Sequence, residues 1–278
     1  MIDFEKVTGS RAVEIRPLSG GCIANSQYVC LANGQELFWK SGKLAQNTFK
    51  TEALALQDIS LTKTIRVPKV LYVDHENLCL EYICQGKEQE KSASLFGKKL
   101  AALNLHSASE FGWVQNNYIG ATTQINTWER DWTTFFTEHR LQFQFDLLKS
   151  VSKDFENLFY DFKEAVKNII NSLRSIQPGL IHGDLWSGNY FYDEQGEPVI
   201  FDPATYYGHP EMELAMTTLF GGFSKKFYEA YTDTYPLEEG WQERLTIYKV
   251  YHLLNHINLF GSSYLSQTQH AMKQVLRN

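Results

Sequence analysis

The hydrophobic pattern changes period about a third of the way along the chain. In the first ninety residues the apolar positions come in short runs at strand spacing, cut by turn signals. Residues 13–18 alternate weakly and lead into Ser19-Gly20-Gly21. Residues 25–31, rich in Tyr and Val, form a second run. Asn33-Gly34 follows, a strong hairpin signal, and residues 35–40 return. Residues 47–59 then take helical spacing, with Phe49, Ala53 and Leu56 on one face. Two further runs, 70–73 and 78–83, are joined through Asp74-His75-Glu76-Asn77. The polar stretch 85–91 reads as a linker. Beyond it the spacing becomes helical: from a Ser92 cap to about His106, from a Thr127 cap through Trp128, Trp132, Phe135 and Phe136, and from about Phe155 to Leu173. Short strands return at Leu180-Ile181, Tyr190-Phe191-Tyr192 and Val199-Ile200-Phe201, with a turn over 193–196. Helices fill the chain from Glu211 onward. The pattern predicts an α+β protein in two lobes: a sheet-rich one over 1–84, a linker over 85–91 and a mainly helical lobe over 92–278.

Composition narrows the partners. The 278 residues suffice for a full core, and 43% apolar with 21% charged content excludes wholesale disorder. Lysine and arginine number 26 against 32 acids, a net charge of −6, which argues against sequence-independent nucleic-acid binding. No apolar run reaches membrane-spanning length, and the first residues lack the apolar stretch of a signal peptide. Cys22, Cys30, Cys79 and Cys84 fit no zinc spacing and read as reduced thiols, so a cytoplasmic protein with a small-molecule or peptide partner is expected, as monomer or dimer.

The chemistry concentrates in Leu180-Ile-His-Gly-Asp-Leu-Trp-Ser-Gly-Asn189 and in Val199-Ile-Phe-Asp-Pro203. Asp184 and Asn189 share a loop between short strands, and Asp202 ends the strand after next. One acid can orient or deprotonate a hydroxyl while the amide and the second acid hold Mg²⁺ on a triphosphate. Asp184 is the expected catalytic residue, and Asn189 and Asp202 the expected metal ligands. The imidazole of His182 is expected to pack behind the loop.

This pattern resembles the catalytic and metal loop of the protein-kinase-like fold, in the His-Gly-Asp form of aminoglycoside phosphotransferases and choline kinases. Trp186 stands where protein kinases usually carry lysine, which favours a small-molecule acceptor. The segments Phe201-Asp-Pro-Ala204, Tyr207-Gly208, Glu211 through Met216 to Gly222, and Tyr248 through His256 to Gly261 are similar to the fructosamine kinase (ketosamine 3-kinase) family, nearly end to end. The resemblance implies ATP and Mg²⁺ as cofactors and a ketosamine, free or protein-bound, phosphorylated on its O3 hydroxyl. It implies that Gly20-Gly21 approach the phosphates, that Lys40 binds them and pairs with Glu52, and that the Glu81-Tyr82-Ile83 backbone meets adenine. Trp186, Tyr207 and His209 are candidate substrate contacts, and Cys22, beside the glycine turn, a candidate redox-sensitive thiol. Pro210 departs from the family pattern, which leads us to expect an arginine before Glu211. Two rivals remain: an antibiotic or choline-type kinase, which needs an acidic pocket, and a pseudokinase binding module, which would have lost the lysine or a metal ligand.

Overall fold

A computed structural model of the chain describes residues 4–18, 24–45 and 47–277. Gly20, Gly21 and Cys22 lie outside the described residues, so the expectations resting on them have no structural counterpart here. A short helix α1 (Phe4–Thr8) precedes β1 (Ala12–Pro17), β2 (Asn25–Leu31) and β3 (Glu36–Ser41). Helix α2 (Thr48–Leu61), β4 (Val70–Val73) and β5 (Asn77–Glu81) follow. The five strands form one antiparallel sheet in the order β1-β2-β3-β5-β4.

Period-two alternation decides what each face of this sheet carries. Leu37 and Trp39 of β3 join Val29, Leu31, Cys79 and Phe4 in a small apolar cluster. Lys40 has the opposite parity and pairs in register with Leu78 of β5. Leu78 and Leu80 belong instead to the main core, with Phe49, Ala53, Leu56 and Ile59 of α2. Strand parity therefore puts the one lysine of β3 on the face that α2 covers.

The rest of the chain is mainly helical. It contains α3 (Ser92–Asn104), the hairpin β6 (Asn117–Ile119) and β7 (Thr122–Gln124), α4 (Trp132–Thr134), a π-wound segment Phe135–Gln142, α5 (Phe143–Asp146) and α6 (Lys153–Asn171). Next come β8 (Gly179–Ile181), β9 (Tyr190–Tyr192), β10 (Pro198–Ile200), β11 (Tyr206–Gly208), α7 (Pro210–Thr217), α8 (Lys225–Thr234), α9 (Trp241–Phe260) and α10 (Leu265–Val275). Strand β9 pairs with β10, and β8 with β11. No helix among the described residues is long and apolar enough to cross a membrane.

Several boundaries differ from expectation. β5 stops at Glu81, and the Tyr82 N–H makes a last contact with β3, at the Glu36 carbonyl, before the chain leaves the sheet. Ser92 lies inside α3; its hydroxyl bonds the Gly196 carbonyl and receives the Gln89 N–H, tying the linker to the β9–β10 turn. Asp131, not Thr127, caps the aromatic helix, accepting from the Thr134 N–H at 2.7 Å. The sequence reading had no α1, β6, β7 or β11. Each spans three to five residues, and β6 and β7 bury Asn117 and Gln124, the reverse of the apolar alternation that marks a strand.

Candidate active site

The first half of the site is assembled from three stretches. Lys40 comes from β3, Glu52 from the covered face of α2 and Asp202 from just beyond β10. The Lys40 ammonium lies 2.7 Å from Glu52 Oε1 and also bonds Asp202 Oδ1. Burial alone would strip the ammonium of its proton, yet Asp202 and Glu52 outweigh it and hold the pKa above the usual lysine range. Two carboxylates share this one cation. Glu52 is the more enclosed, and burial pushes its pKa up against the pull of Lys40. Asp202 adopts a left-handed backbone conformation (φ 57°), uncommon for a residue with a side chain, and remains 36% exposed at its side chain.

The loop after β8 supplies the second half. His182 is fully buried. Its Nε2 lies 2.8 Å from the Phe201 carbonyl, and its Nδ1 accepts the Asp184 N–H at 3.3 Å. These partners require a neutral ring protonated on Nε2, and burial lowers the imidazole pKa to about 4. The Ala204 N–H reaches the His182 carbonyl at 2.9 Å, tying the loop to the segment after Asp202. Gly183 has φ +83°, and a Cβ there would stand 2.2 Å from the Ala204 carbonyl oxygen, so only glycine allows this approach.

Asn189, buried, donates its amide to the Asp184 carbonyl at 2.8 Å and to Asp184 Oδ2 at 3.3 Å. Its nitrogen is thereby committed to Asp184, leaving Oδ1 as a lone-pair donor. Burial foremost, then the charge of Asp202, raises the Asp184 pKa well above the usual carboxylate range; the Asn189 hydrogen bond opposes the rise. No group of three or more His, Cys, Asp or Glu side chains able to cage a metal occurs among the described residues. One carboxylate with one amide oxygen suits a hard cation that takes its other ligands from phosphate and water.

The expected substrate residues separate. Trp186 is 37% exposed, and its ring lies against Gly188, where a Cβ would come within 2.4 Å of the indole. Tyr207 is half-buried on β11, its ring 6.1 Å from Trp128. His209 stands apart. It is buried between α7 and α9, with Nδ1 2.7 Å from the Tyr248 hydroxyl and the ring edge-on to Trp132. Burial lowers its pKa to about 3. A substrate contact was expected of His209, but both its packing and its hydrogen bond are spent inside the core. The Glu81 carboxylate faces Arg66 and the Lys69 N–H.

Two residues escaped the sequence reading. Glu213, fully buried in α7, accepts the N–H groups of His182 and Gly183 and so grips the loop that carries Asp184. An acid inside the otherwise apolar run Met212-Glu213-Leu214-Ala215-Met216 was the available signal. Arg244 of α9 gives Glu211 a two-pronged guanidinium contact, at 2.9 Å and 2.5 Å, and bonds the Glu238 and Glu239 carbonyls. The basic contact missing at position 210 is thus supplied to Glu211 from another helix, and Pro210 occupies the first helical position, where its absent N–H is no loss.

A five-stranded sheet with a lysine paired to a helix glutamate, above a loop of Asp and Asn beside a second Asp, defines a kinase-type phosphotransferase of the protein-kinase-like fold. A sequence model of the fructosamine kinase family matches residues 3–278. The chain belongs to that family. It is 43% identical to a protein named probable ketoamine kinase from Synechocystis, over 96% of this chain and 92% of that one. It is 37% identical to the chloroplastic protein-ribulosamine 3-kinase of Oryza sativa subsp. indica, over 98% and 80%. A Thermobifida fusca crystal structure assigned as a fructosamine-3-kinase superposes with a TM-score of 0.88 at 29% identity, covering 99% of this chain and 97% of that one. An aminoglycoside phosphotransferase in complex with ADP and hygromycin B shares the fold, with a TM-score of 0.67 at 14% identity over 99% and 96%.

Proposed function

We propose that this protein transfers the γ-phosphoryl group of ATP to the O3 hydroxyl of ketosamines, the Amadori adducts of sugars with amines. The observation that carries the reading is the connected set Glu52–Lys40–Asp202 facing Asp184–Asn189, each member hydrogen-bonded to another. Family membership supports the acceptor class, and the kinase and ribulosamine kinase names of the relatives support ketosamines over aminoglycosides or choline.

In this reading Asp184 accepts the O3 hydrogen bond, aligns that oxygen with the γ-phosphorus and takes its proton as the bond to phosphorus forms and the bond from the γ-phosphorus to the β,γ-bridging oxygen breaks, releasing ADP. Lys40 holds the α/β-phosphates, and Glu52 keeps the lysine in place. Asp202 and the Asn189 amide oxygen would hold Mg²⁺, whose positive charge offsets the charge on the phosphates. The Glu81–Ile83 backbone lies where the chain leaves the sheet, at the position proposed for adenine. Gly20 and Gly21 complete the proposed phosphate site, and Trp186 and Tyr207 the sugar site. Most of the rate enhancement then comes from positioning and electrostatics.

The lobe division at 84 and 92 is supported by β5 ending at Glu81 and α3 starting at Ser92. A cytoplasmic location is part of the same proposal. The product 3-phosphate is unstable and releases the free amine, so the biological role is deglycation. The test is a panel of ketosamines with ATP and Mg²⁺, read by phosphorus NMR. A new phosphate ester at O3 is expected. Transfer only to aminoglycosides or choline, or no transfer at all, overturns the proposal.

A further inference from the structure

The aromatic surface beside the catalytic loop continues past Trp186. The Trp186 ring meets Phe220 edge-on at 6.3 Å between centroids, and Phe220 lies 4.9 Å from His256. His256 in turn lies 5.4 Å from Phe260 and 5.0 Å from Tyr264, and those two rings are 6.2 Å apart. The rings come from three parts of the chain: the catalytic loop, the segment after α7, and the end of α9 with the turn that follows. Their neighbours Leu219, Phe223 and Ile257 pack on the main core. Tyr264 also packs on that core, while Phe260 is 52% exposed and Phe220, His256 and Tyr264 keep part of their surface open.

The two segments that supply Phe220, His256, Phe260 and Tyr264 carry no fixed charge. No Asp, Glu, Lys or Arg occurs between Lys249 and Lys273, nor between Glu213 and Lys225. In a chain with 21% charged residues, two such stretches meeting at one exposed surface stand out. Contiguous exposed aromatic rings mark binding surfaces, because they bury large area at low entropy cost.

We propose that this track of rings binds the carrier of the ketosamine, and that the carrier is a polypeptide with apolar or aromatic residues flanking the modified amine. The inference rests on the ketosamine reading above. With the sugar O3 at Asp184, the amine sits two carbons away at C1, so the carrier must begin on the surface adjoining the loop. Trp186, two residues from Asp184, is where the ring track begins. Small ketosamines use only its Trp186 end.

The experiment compares three acceptors at saturating ATP: the ketosamine of morpholine, a peptide with a glycated lysine flanked by Leu and Phe, and the same peptide flanked by Asp and Glu. The wild-type protein should show the lowest KM for the apolar-flanked peptide. Phe260→Ala and Tyr264→Ala should each raise that KM about 3- to 10-fold, with kcat unchanged and the morpholine KM altered less than about twofold. Phe260→Asp, at an exposed position where folding is not at stake, should raise it further. A wild-type enzyme indifferent to the flanking residues overturns the inference. So do variants that affect all three acceptors alike, or none. If the wild-type protein fails even on the morpholine ketosamine, the functional reading falls first and this inference with it.

Discussion

Replacing Glu213 with glutamine separates the charge of this buried acid from its shape. The carboxylate is fully buried and accepts the Gly183 N–H at 3.2 Å and the His182 N–H. Burial pushes its pKa up from 4.5 to about 7, against the two amide bonds. In that window the folded protein keeps a proton that the unfolded chain has released, so stability falls as pH rises from the unfolded pKa to the folded one. Between pH 5 and pH 8 the group costs about 2–3 kcal/mol of stability. Glutamine does not titrate, so the variant escapes this slope. Its amide has only one acceptor for two N–H donors, and the unpaired buried donor costs about 1–3 kcal/mol at every pH. Urea unfolding of both proteins at pH 5 and pH 8 reads the effect: groups remote from Glu213 cancel in the difference, and Asp184, whose pKa the Glu213 charge raises, adds in the same direction. The wild-type advantage should shrink by about 2–3 kcal/mol between the two pH values. A gap that stays constant, or widens at pH 8, refutes the reasoning.

Four further outcomes are expected. Asp184→Asn should lower kcat by about 10²–10⁴-fold while calorimetry still detects ATP binding; retention of a third of wild-type turnover would remove Asp184 as the base. Lys40→Met should cost about 10²-fold or more in kcat yet leave adenosine affinity intact, and equal loss of adenosine and ATP binding would mark a folding defect instead. Asp202→Ala should abolish the Mg²⁺ dependence of ATP binding in calorimetric titrations, and an unchanged dependence argues against it as a ligand. Arg244→Met should destabilise the fold by about 3–5 kcal/mol in urea, since it strands the buried Glu211 carboxylate; adding Glu211→Gln should recover much of that, and no recovery would place the cost in packing.

The parts of the site legible in the sequence are those whose local pattern contradicts their surroundings. Lys40 stands in the apolar run Leu37-Phe38-Trp39, and Glu52 on a helix face between Phe49 and Leu56; each asks for a partner, and each supplies the other's. Asp184, Asn189 and Asp202 were legible through spacing. Contacts between residues far apart, each locally unremarkable, were not. Glu213 reads as an acid favoured by a helix N-terminus, and Arg244 lies 33 residues from the Glu211 it neutralises. The amides of Asn117 and Gln124 satisfy the Thr205 and Ala204 carbonyls, which no pattern in β6 or β7 announces. His209 follows a tyrosine pair close to Asp202 in the sequence, while its buried partner Tyr248 is in another helix, a contact no local pattern announces.

The linker at 85–91 separates the sequence more sharply than the core separates the structure. Phe49, Ala53, Leu56 and Ile59 of α2 share one apolar cluster with Phe96 and Leu100 of α3, Phe111, Trp113 and Trp132. The Trp113 indole N–H donates to Asp58 of α2 at 2.8 Å, and Arg66 joins Glu81 to Asp193 of the β9–β10 turn. Glu52 therefore rides on a helix held by the part of the chain that carries Asp184, Asn189 and Asp202. Moving α2 outward would break Lys40–Glu52 and open an apolar interior at the same time, a cost of several buried side chains at about 1.5–3 kcal/mol each. A charge pair held that way is set by folding itself, with no separate activating step needed to form it.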